Sequence, residues 1–362
     1  MLADLAMRDG QRVVAFDLFG DLDLRRSGAR VVACPGGGLA ALVDAAVEVQ
    51  SRGVVYGASF ENHPALVARL AKRHALLGNA PATLRAVRDP QRLAAALRAA
   101  GLRYPRTSAT APAERTGPWL RKPLRGGGGT RVRAWRGGRV PAGSIVQERI
   151  DGLACSVAAV GDGAHAVALG LTEQLIGRRA FGVRGYRWCG NVVPPRLPAA
   201  ERDALQGQAR EICSFLARAF ALRGLFGVDL VWDGERAWTV EVNPRPPASL
   251  EAIEAAHGAG AFAAHLRGCA GELPSVAATR DGAAGKAVVF ATEDVVVGDS
   301  EHWLERGARD VPHPGERIAA GRPICTVVAT AATPEDALAE LEERAASMRA
   351  ELEPGVEVAA GG

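Results

Sequence analysis

Short apolar runs alternate with amphipathic stretches along the first hundred residues of the chain. Three of these runs are rich in Val and predict strands: 12–18, 29–35 and 53–59. Between the second and third strands, 39–53 repeats apolar side chains every three to four positions and predicts a helix. Alternation of strand, helix and strand is typical of a parallel sheet, so the chain is predicted to begin with a parallel α/β domain.

Two further helices are predicted before the pattern changes. The segment 63–79 has helical spacing and ends near Gly78, which is typical of a helix C-terminus. The segment 89–101 begins with Asp89 in the N-cap position and a proline directly after it. Pro, Thr, Ser and Ala then dominate 104–118, and this change in composition marks the first predicted domain boundary.

The second half of the chain mixes short strands with long helices. A small β-rich module follows the boundary, and 199–222 then predicts a long amphipathic helix that Gly224 ends. Two strands next face each other across a turn at Asp233 and Gly234, a strong hairpin signal. The C-terminal part contains further strands and a helix with Thr333 as its N-cap.

Composition changes this picture mainly by exclusion. The 362 residues are 48% hydrophobic and 23% charged, and they contain neither a membrane-length apolar run nor a basic N-terminal leader. The net charge of +4 is modest, the arginines are spread along the chain, and aromatic residues make up only 5%, which does not indicate a nucleic-acid surface. The six cysteines form no C-x-x-C pair and predict buried free thiols of a cytoplasmic protein. We therefore expect small-molecule partners rather than nucleic acid or a membrane.

Polar residues with metal-binding chemistry lie on the predicted hairpin. Glu241 and Asn243 are two residues apart on the second strand and point to the same face. The turn folds Asp229, on the first strand, back towards Glu241. Two carboxylates and a carboxamide oxygen on one face are hard ligands that suit Mg²⁺ bound to nucleotide phosphates. The alternative for this pattern is a solvent-facing polar row on a two-stranded ribbon.

A glycine-rich stretch follows Lys122, one of only three lysines in the chain. Gly126–Gly129 are four consecutive glycines, whose backbone N–H groups can approach phosphate oxygens closely while the lysine adds a positive charge. The stretch is not a Walker A loop, because the pattern G-x-x-x-x-G-K-[ST] does not occur. A mobile hairpin tip is the alternative interpretation.

A third candidate piece follows the glycine loop. An apolar strand ends in Gln147 and Glu148, and Ile150 and an Asp151–Gly152 turn come directly after it. Such a crossover offers backbone groups and an apolar wall to an adenine ring.

The order of these pieces resembles the ATP-grasp superfamily of carboxylate–amine ligases: a lysine on a strand, a glycine loop, a Gln-Glu crossover, and D…E-x-N followed by P-R-P. The resemblance implies an α/β fold with an α+β lid. An N-terminal parallel α/β domain would precede a small β-rich lid, a catalytic subdomain and a small C-terminal α+β extension. The corresponding segments are 1–105, 106–150, 151–270 and 271–362.

The resemblance also implies roles for individual residues. Lys122 matches the lid lysine that contacts ATP phosphates, and Arg245 matches the basic residue that faces a substrate carboxylate or the transferred phosphate. These two are the expected catalytic residues. The implied ligands of Mg²⁺ or Mn²⁺ are Asp229, Glu241 and Asn243. The implied ATP-binding residues are Lys122, Gly127, Gly128, Gln147, Glu148, Ile150 and Arg88.

Two positions depart from the pattern of the superfamily. Arg88 stands where many members have a lysine near the end of the first domain. Many members also have a glutamate for the ribose shortly after the hinge, where this chain offers only Asp151 or nothing.

A finer resemblance is to ATP-grasp enzymes that build methanofuran- and methanopterin-type one-carbon carriers, including tyramine–glutamate ligase. It rests on 56–79 and 187–195, whereas 314–329 resembles the C-terminal module of enzymes like biotin carboxylase. The resemblance implies an ATP- and Mg²⁺-dependent ligase. Its substrates would be a small-molecule carboxylate and a small-molecule amine, and it would join them in an amide through an acyl phosphate. An amino acid such as glutamate is the expected carboxylate, and the resemblance allows a homodimer. The alternatives are a carboxylating enzyme, like biotin carboxylase or PurK, and a non-catalytic ATP-binding regulator.

Overall fold

The computed structural model describes residues 1–113, 117–258, 260–275 and 282–354 of the chain. None of the helices in these ranges combines the length and the apolar character needed to cross a bilayer. All six cysteines are free thiols, and four of them are buried.

The N-terminal domain contains a two-stranded parallel sheet flanked by helices. Strands β1 and β2 pair in parallel with Phe16 opposite Val32, as the hydrophobic pattern predicted. Helical side chains, among them Val43 and Val67, form the core beside this sheet. The elements are α1 (Leu2–Arg8), β1 (Val14–Asp17), α2 (Leu22–Arg26), β2 (Arg30–Ala33), α3 (Gly38–Val47), α4 (Pro64–Ala71), α5 (Pro81–Val87) and α6 (Pro90–Ala99).

The third strand predicted at 53–59 does not form. Only Val54 pairs, in an isolated parallel bridge with Leu76. Ser59 adopts a left-handed φ of 76° and precedes a 3₁₀ turn at Phe60–Asn62. The chain therefore turns away from the sheet before a ladder of hydrogen bonds can form.

The helix predicted over 63–79 is also shorter than expected. Helix α4 ends at Ala71, and the following residues return to make the bridge with the 53–59 segment. Asn79 is buried and does not serve as a helix cap. Its Nδ2 donates to the carbonyl of Pro244 over 3.1 Å, and its Oδ1 accepts the N–H of Arg223 over 2.9 Å. This side chain ties the N-terminal domain to the segment that follows the predicted hairpin.

The lid is a four-stranded antiparallel sheet in the order β3-β6-β4-β5. Lys122 lies opposite Ile145, and Leu120 lies opposite Gln147. Because alternate residues of a strand share a face, these four side chains point to the same side of the lid. The strands are β3 (Thr107–Ser108), β4 (Trp119–Pro123), β5 (Arg133–Trp135) and β6 (Ser144–Glu148).

The catalytic part is built on a seven-stranded antiparallel sheet in the order β11-β10-β7-β8-β9-β12-β15. Strands β12 and β15 lie in the predicted C-terminal extension, so the boundary predicted at residue 270 falls inside one sheet. The elements are β7 (Leu153–Asp162), β8 (Ala166–Ile176), β9 (Trp188–Val193), α7 (Ala199–Phe220), β10 (Arg223–Trp232), β11 (Ala237–Asn243), α8 (Leu250–His257), α9 (Ala261–Ala270), β12 (Ala283–Phe290), β13 (Val295–Val296), α10 (His302–Glu305), β14 (Arg317–Ile318), β15 (Pro323–Ala331), α11 (Pro334–Ala350) and β16 (Glu353–Pro354).

Helix α7 confirms the amphipathic pattern over 199–222, but its end differs from the prediction. The left-handed residue that follows the helix is Ala221, with a φ of 51°. Gly224 lies within β10, where a Cβ would come within 2.6 Å of His265 Nδ1 and Cys269 Sγ. The glycine therefore allows α9 to approach the strand closely and does not end the helix.

A cluster of carboxylates lies where the loop after β1 meets the C-terminal part of the chain. Burial raises the pKa of Asp21 to about 7, and four neighbouring carboxylates add to the rise. The pKa of this carboxyl group is higher in the folded state than in the unfolded state. Its contribution to the free energy of unfolding is therefore fully present when the pH is below the unfolded-state pKa. This contribution is lost as the pH rises through 7. The four neighbours are Asp310, Asp17, Asp23 and Glu316.

Asp21→Asn is expected to raise the free energy of unfolding at pH 8 by about 1–2 kcal/mol, a figure reduced from the full pKa shift because the side chain is partly solvated. The gain should shrink as the pH falls towards 4, because the wild-type carboxyl group is then protonated. Urea unfolding at pH 5 and pH 8 measures the difference. Asp203→Asn, at an exposed position on α7, is the control and should change neither value. An equal gain at both pH values would contradict the electrostatic explanation.

Candidate active site

The β10–β11 hairpin brings the three predicted metal ligands together. Asp229 lies directly opposite Glu241 across the antiparallel pair, and Asn243 lies opposite Gly227. Asn243 Nδ2 donates to Asp229 Oδ2 over 3.3 Å. Gln174, on β8, donates to the other carboxylate oxygen of Asp229 over 3.0 Å. The structure thus brings the three side chains to one face as predicted, and β8, which β7 separates from the hairpin, adds a fourth polar group.

Cationic side chains surround this trio from three directions. Arg88, at the end of α5, forms an ion pair with Glu241. Lys122 approaches from the lid, where its Nζ donates to Gln147 Oε1 over 2.9 Å. Arg245 follows the trio along the chain. The three cations predicted to bind nucleotide or substrate therefore lie around the same group of carboxylates.

The pKa values of these side chains are coupled through their charges. Burial and the nearby carboxylate of Glu241 raise the pKa of Asp229 to about 7. Burial also acts to raise the pKa of Glu241, but the charges of Arg88 and Lys122 outweigh it and lower the pKa. Burial lowers the pKa of Lys122 although both carboxylates oppose that change. Of these two carboxylates, Asp229 is thus the one whose negative charge the protein compensates less.

The trio fits a divalent cation that takes most of its ligands from phosphates or water. The described residues contain no group of three or more His, Cys, Asp or Glu side chains that could hold a metal ion. The donors available are the two carboxylates of Asp229 and Glu241 and the carboxamide of Asn243. Such a set of oxygen ligands suits Mg²⁺ or Mn²⁺. A bound cation would supply the positive charge that compensates the carboxylate of Asp229.

The glycine loop closes over Arg88. The carbonyl of Gly126 accepts hydrogen bonds from Arg88 Nη2 over 3.4 Å and from Asn62 Nδ2 over 3.3 Å. Within the described part of the chain, the N–H groups of Gly126–Gly129 donate no hydrogen bond. These donors remain free for an anion, and the role of Gly127 and Gly128 in phosphate binding stays a prediction.

The end of the glycine loop is docked where the chain enters β9. The carbonyl of Gly128 accepts the N–H of Trp188 over 3.0 Å. Gly129 has a left-handed φ of 68°, and a Cβ at this position would lie 1.8 Å from the carbonyl oxygen of Tyr186. Only glycine permits this contact, which fixes the lid against the catalytic sheet.

The side chains of the predicted adenine hinge have partners inside the protein. Gln147 is buried and accepts the hydrogen bond from the lid lysine. Glu148 forms a bidentate ion pair with Arg106, whose Nε and Nη2 each donate to a carboxylate oxygen over 3.1 Å. A nucleotide would therefore meet the hinge through backbone groups and the half-buried Ile150. Asp151, the candidate ribose ligand, is exposed and forms an ion pair with Arg149 over 2.9 Å.

Arg245 is held in place by the N-terminal domain. Its Nε and Nη2 both donate to Glu61 Oε1, over 3.3 and 3.1 Å, and Nη2 also donates to Asn243 Oδ1 over 3.3 Å. The Glu61 side chain is only 2% exposed and that of Arg245 12%. The carbonyl of Pro244 accepts the hydroxyl of Tyr56 over 3.2 Å. The guanidinium is thus fixed beside the metal-type trio.

Sequence reasoning missed three polar residues of this site. Glu61 and Asn62 follow the apolar run at 53–59, and Gln174 lies on β8. The local signal for this part of the site was the acidic residue Glu61, which directly follows the aromatic Phe60. Nothing in the local pattern of β8 distinguishes Gln174 from a surface residue.

Comparisons with known proteins cover the part of the chain that holds this site. Residues 87–249, which include Arg88, the lid, the hinge and the trio, match the family model described as an ATP-grasp domain. A comparison with curated protein sequences gives no significant match.

Several solved structures resemble the chain over almost its whole length. Biotin carboxylase from Campylobacter jejuni, described as a β-γ-ATP complex, has a TM-score of 0.70 at 15% identity and covers 97% of this chain and 88% of its own. The biotin carboxylase domain of 2-oxoglutarate carboxylase from Hydrogenobacter thermophilus, described as a dimer with MgADP, ADP and bicarbonate, has a TM-score of 0.71 at 15% identity over 98% and 87%. N5-carboxyaminoimidazole ribonucleotide synthetase from Thermotoga maritima has a TM-score of 0.64 at 17% identity over 98% and 96%. At these identities the similarity concerns the fold.

Proposed function

Because the chain has the ATP-grasp fold, with an ATP-grasp domain at residues 87–249, we propose that it is an ATP- and Mg²⁺-dependent ligase that forms an amide from a carboxylate and an amine. The observation that carries this proposal is the position of Arg245. Its guanidinium is fixed by Glu61 and Asn243 beside the metal-type trio. A fixed cation next to a phosphate and metal site can orient a carboxylate for phosphorylation and neutralise the charge that develops.

In the proposed reaction a carboxylate oxygen attacks the γ-phosphorus of ATP, and ADP leaves. The amine nitrogen then attacks the carbonyl carbon of the acyl phosphate, loses a proton and displaces inorganic phosphate. The protein contributes mainly positioning and charge neutralisation. Lys122 and the free N–H groups of the glycine loop would face the phosphates. Asp229, Glu241 and Asn243 would hold Mg²⁺ or Mn²⁺, which neutralises phosphate charge when bound.

The ion pair between Arg88 and Glu241 supports a role for Arg88 in nucleotide binding. A divalent cation would compete for the carboxylate of Glu241 and would release the guanidinium. The released Arg88 lies under the glycine loop, with the carbonyl of Gly126 in contact. We infer that it then takes a phosphate oxygen, in the place of the lysine that many superfamily members have.

For the substrates, we propose an amino acid such as glutamate as the carboxylate, in a cytoplasmic pathway that builds one-carbon carriers of the methanofuran or methanopterin type. The resemblance of 56–79 and 187–195 to tyramine–glutamate ligase and related enzymes supports this assignment. A homodimer is the proposed assembly, since the structurally similar Hydrogenobacter thermophilus domain is described as a dimer.

A carboxylating reaction is the second candidate function. Biotin carboxylase is among the similar structures, and the Hydrogenobacter thermophilus domain is described with bicarbonate. An enzyme of this class would use bicarbonate as the carboxylate that attacks ATP. A non-catalytic ATP-binding regulator is a weaker alternative, because it would not need Asp229, Glu241 and Asn243 to converge.

ADP release from MgATP, measured against a matrix of carboxylates and amines, tests the proposal. The matrix should include the standard amino acids, tyramine, and pterin and furan precursors. We expect ADP release that requires both an acid and an amine, with an amide product identified by mass spectrometry. ADP release stimulated by bicarbonate alone would instead support the carboxylating reaction. MgATP binding without turnover in any combination would favour the regulator.

A further inference from the structure

A cavity of about 400 Å³ lies between the N-terminal domain and the lid. Its volume is within the range of small-molecule sites. Arg88, Glu61 and Asn62 line the cavity. The cavity therefore reaches the candidate active site from the side of the N-terminal domain. Arg85 and Arg125 also line it, and both are exposed. The cavity therefore joins a buried carboxylate to a cationic rim.

Glu61 binds Arg245 through only one of its two carboxylate oxygens. Oε1 accepts both hydrogen bonds from the guanidinium. Oε2 is buried and has no hydrogen-bond partner in the described part of the chain. A buried carboxylate oxygen without a donor is costly, so a ligand that donates a hydrogen bond here would remove a penalty that the protein otherwise bears.

The rim of the cavity has the opposite charge. Neither Arg85 nor Arg125 forms an ion pair or a side-chain hydrogen bond with the described residues. Asp89 also lines the cavity, but its Oδ1 accepts two N–H groups at the start of α6. The two guanidinium groups are thus available to an anionic ligand.

We propose that this cavity binds the amine substrate as an amino acid, with its amino group on Glu61 Oε2 and its carboxylate on Arg85 and Arg125. This assignment rests on the proposed ligase function. Because Glu61 also holds Arg245, the amino group would lie beside the guanidinium that orients the other substrate. Simple amines would lack the anion that the rim recognises, and dicarboxylates would lack the donor that Glu61 requires.

Isothermal titration calorimetry on the full chain in saturating MgADP tests the assignment. The probes are the twenty standard L-amino acids, followed by the N-acetyl and carboxamide derivatives of the tightest binder. We expect saturable binding of at least one amino acid and at least about tenfold weaker binding of both derivatives, since each loses one charged hydrogen-bonding group. Equal binding of either derivative would overturn the proposal.

Variants of the lining residues separate the two ends of the cavity. Glu61→Gln and Arg125→Gln should each weaken binding of the amino acid by about tenfold or more. Glu61→Gln should leave the N-acetyl derivative unaffected, because that probe lacks the charged amino group. Arg98→Gln removes an exposed arginine of α6 outside the cavity and is the control, with unchanged binding expected.

The binding of MgADP separates failure of this inference from failure of the proposed function. Wild-type protein that does not bind MgADP would contradict the ligase function itself. Wild-type protein that binds MgADP but none of the twenty amino acids would overturn only the assignment of the cavity. If Glu61→Gln does not fold, the Arg125→Gln variant and the two derivatives decide the question.

Discussion

Glu241→Gln should lower ATP-dependent turnover by roughly 100-fold to 1,000-fold, the scale seen when one preorganised electrostatic group is removed from an active site. The change keeps the size of the side chain but removes one of the two carboxylates that face each other across the hairpin. A neutral carboxamide is a weaker ligand for a hard cation, so more Mg²⁺ should be needed for half-maximal rate. ADP release, measured with the acid and amine pair found in the substrate matrix and over a titration of Mg²⁺, checks both effects.

The same substitution also removes the partner of Arg88. In the wild-type protein this ion pair is largely shielded, with side-chain exposures of 13% for Arg88 and 29% for Glu241. Thermal unfolding should therefore accompany the kinetics, so that lost activity is not confused with lost structure. Glu235→Gln removes an exposed carboxylate from the turn of the same hairpin and should leave turnover unchanged. Wild-type turnover in Glu241→Gln would exclude this carboxylate from the metal site.

The convergence of Asp229, Glu241 and Asn243 could be predicted because it depends on local rules. Alternation along a strand puts Glu241 and Asn243 on one face, and the Asp-Gly turn sets which residue lies opposite. The N-caps at Asp89 and Thr333 follow the same logic, and the structure confirms both. Each of these features is fixed by residues within about fifteen positions of one another.

The environment of Arg245 could not be predicted in this way. Glu61 lies 184 residues away in the sequence, and Asn79 lies 165 residues from the carbonyl of Pro244 that it binds. Periodicity shows which face of an element is buried, but it does not show which other element covers that face. The prediction of a strand at 53–59 was wrong for a related reason. Its Val-rich pattern favours a strand, whereas the left-handed residue Ser59 and the following 3₁₀ turn place Glu61 at the active site instead.

Gly129→Ala should reduce turnover by roughly 100-fold, because a displacement of about 1 Å in a positioning element can cost that much. The new Cβ would lie 1.8 Å from the carbonyl oxygen of Tyr186, so the end of the glycine loop cannot stay docked beside β9. The loop also covers Arg88 through Gly126, and its displacement would open the site to water and expose an acyl phosphate to hydrolysis. We therefore expect more ADP to be released per amide formed, in addition to the slower rate.

A second glycine of the lid separates this collision from simple backbone strain. Gly138 also has a left-handed φ, of 87°, but a Cβ there meets no atom within 4 Å. Gly138→Ala should therefore cost only about 1–2 kcal/mol of stability, from the conformation that L-residues disfavour, and should keep one ADP per amide. Because Gly129→Ala also places an L-residue at a left-handed φ, of 68°, any further loss of coupling between ADP and amide measures the docking of the loop on Tyr186. Equal coupling in the two variants would mean that this contact stabilises the lid without protecting the intermediate.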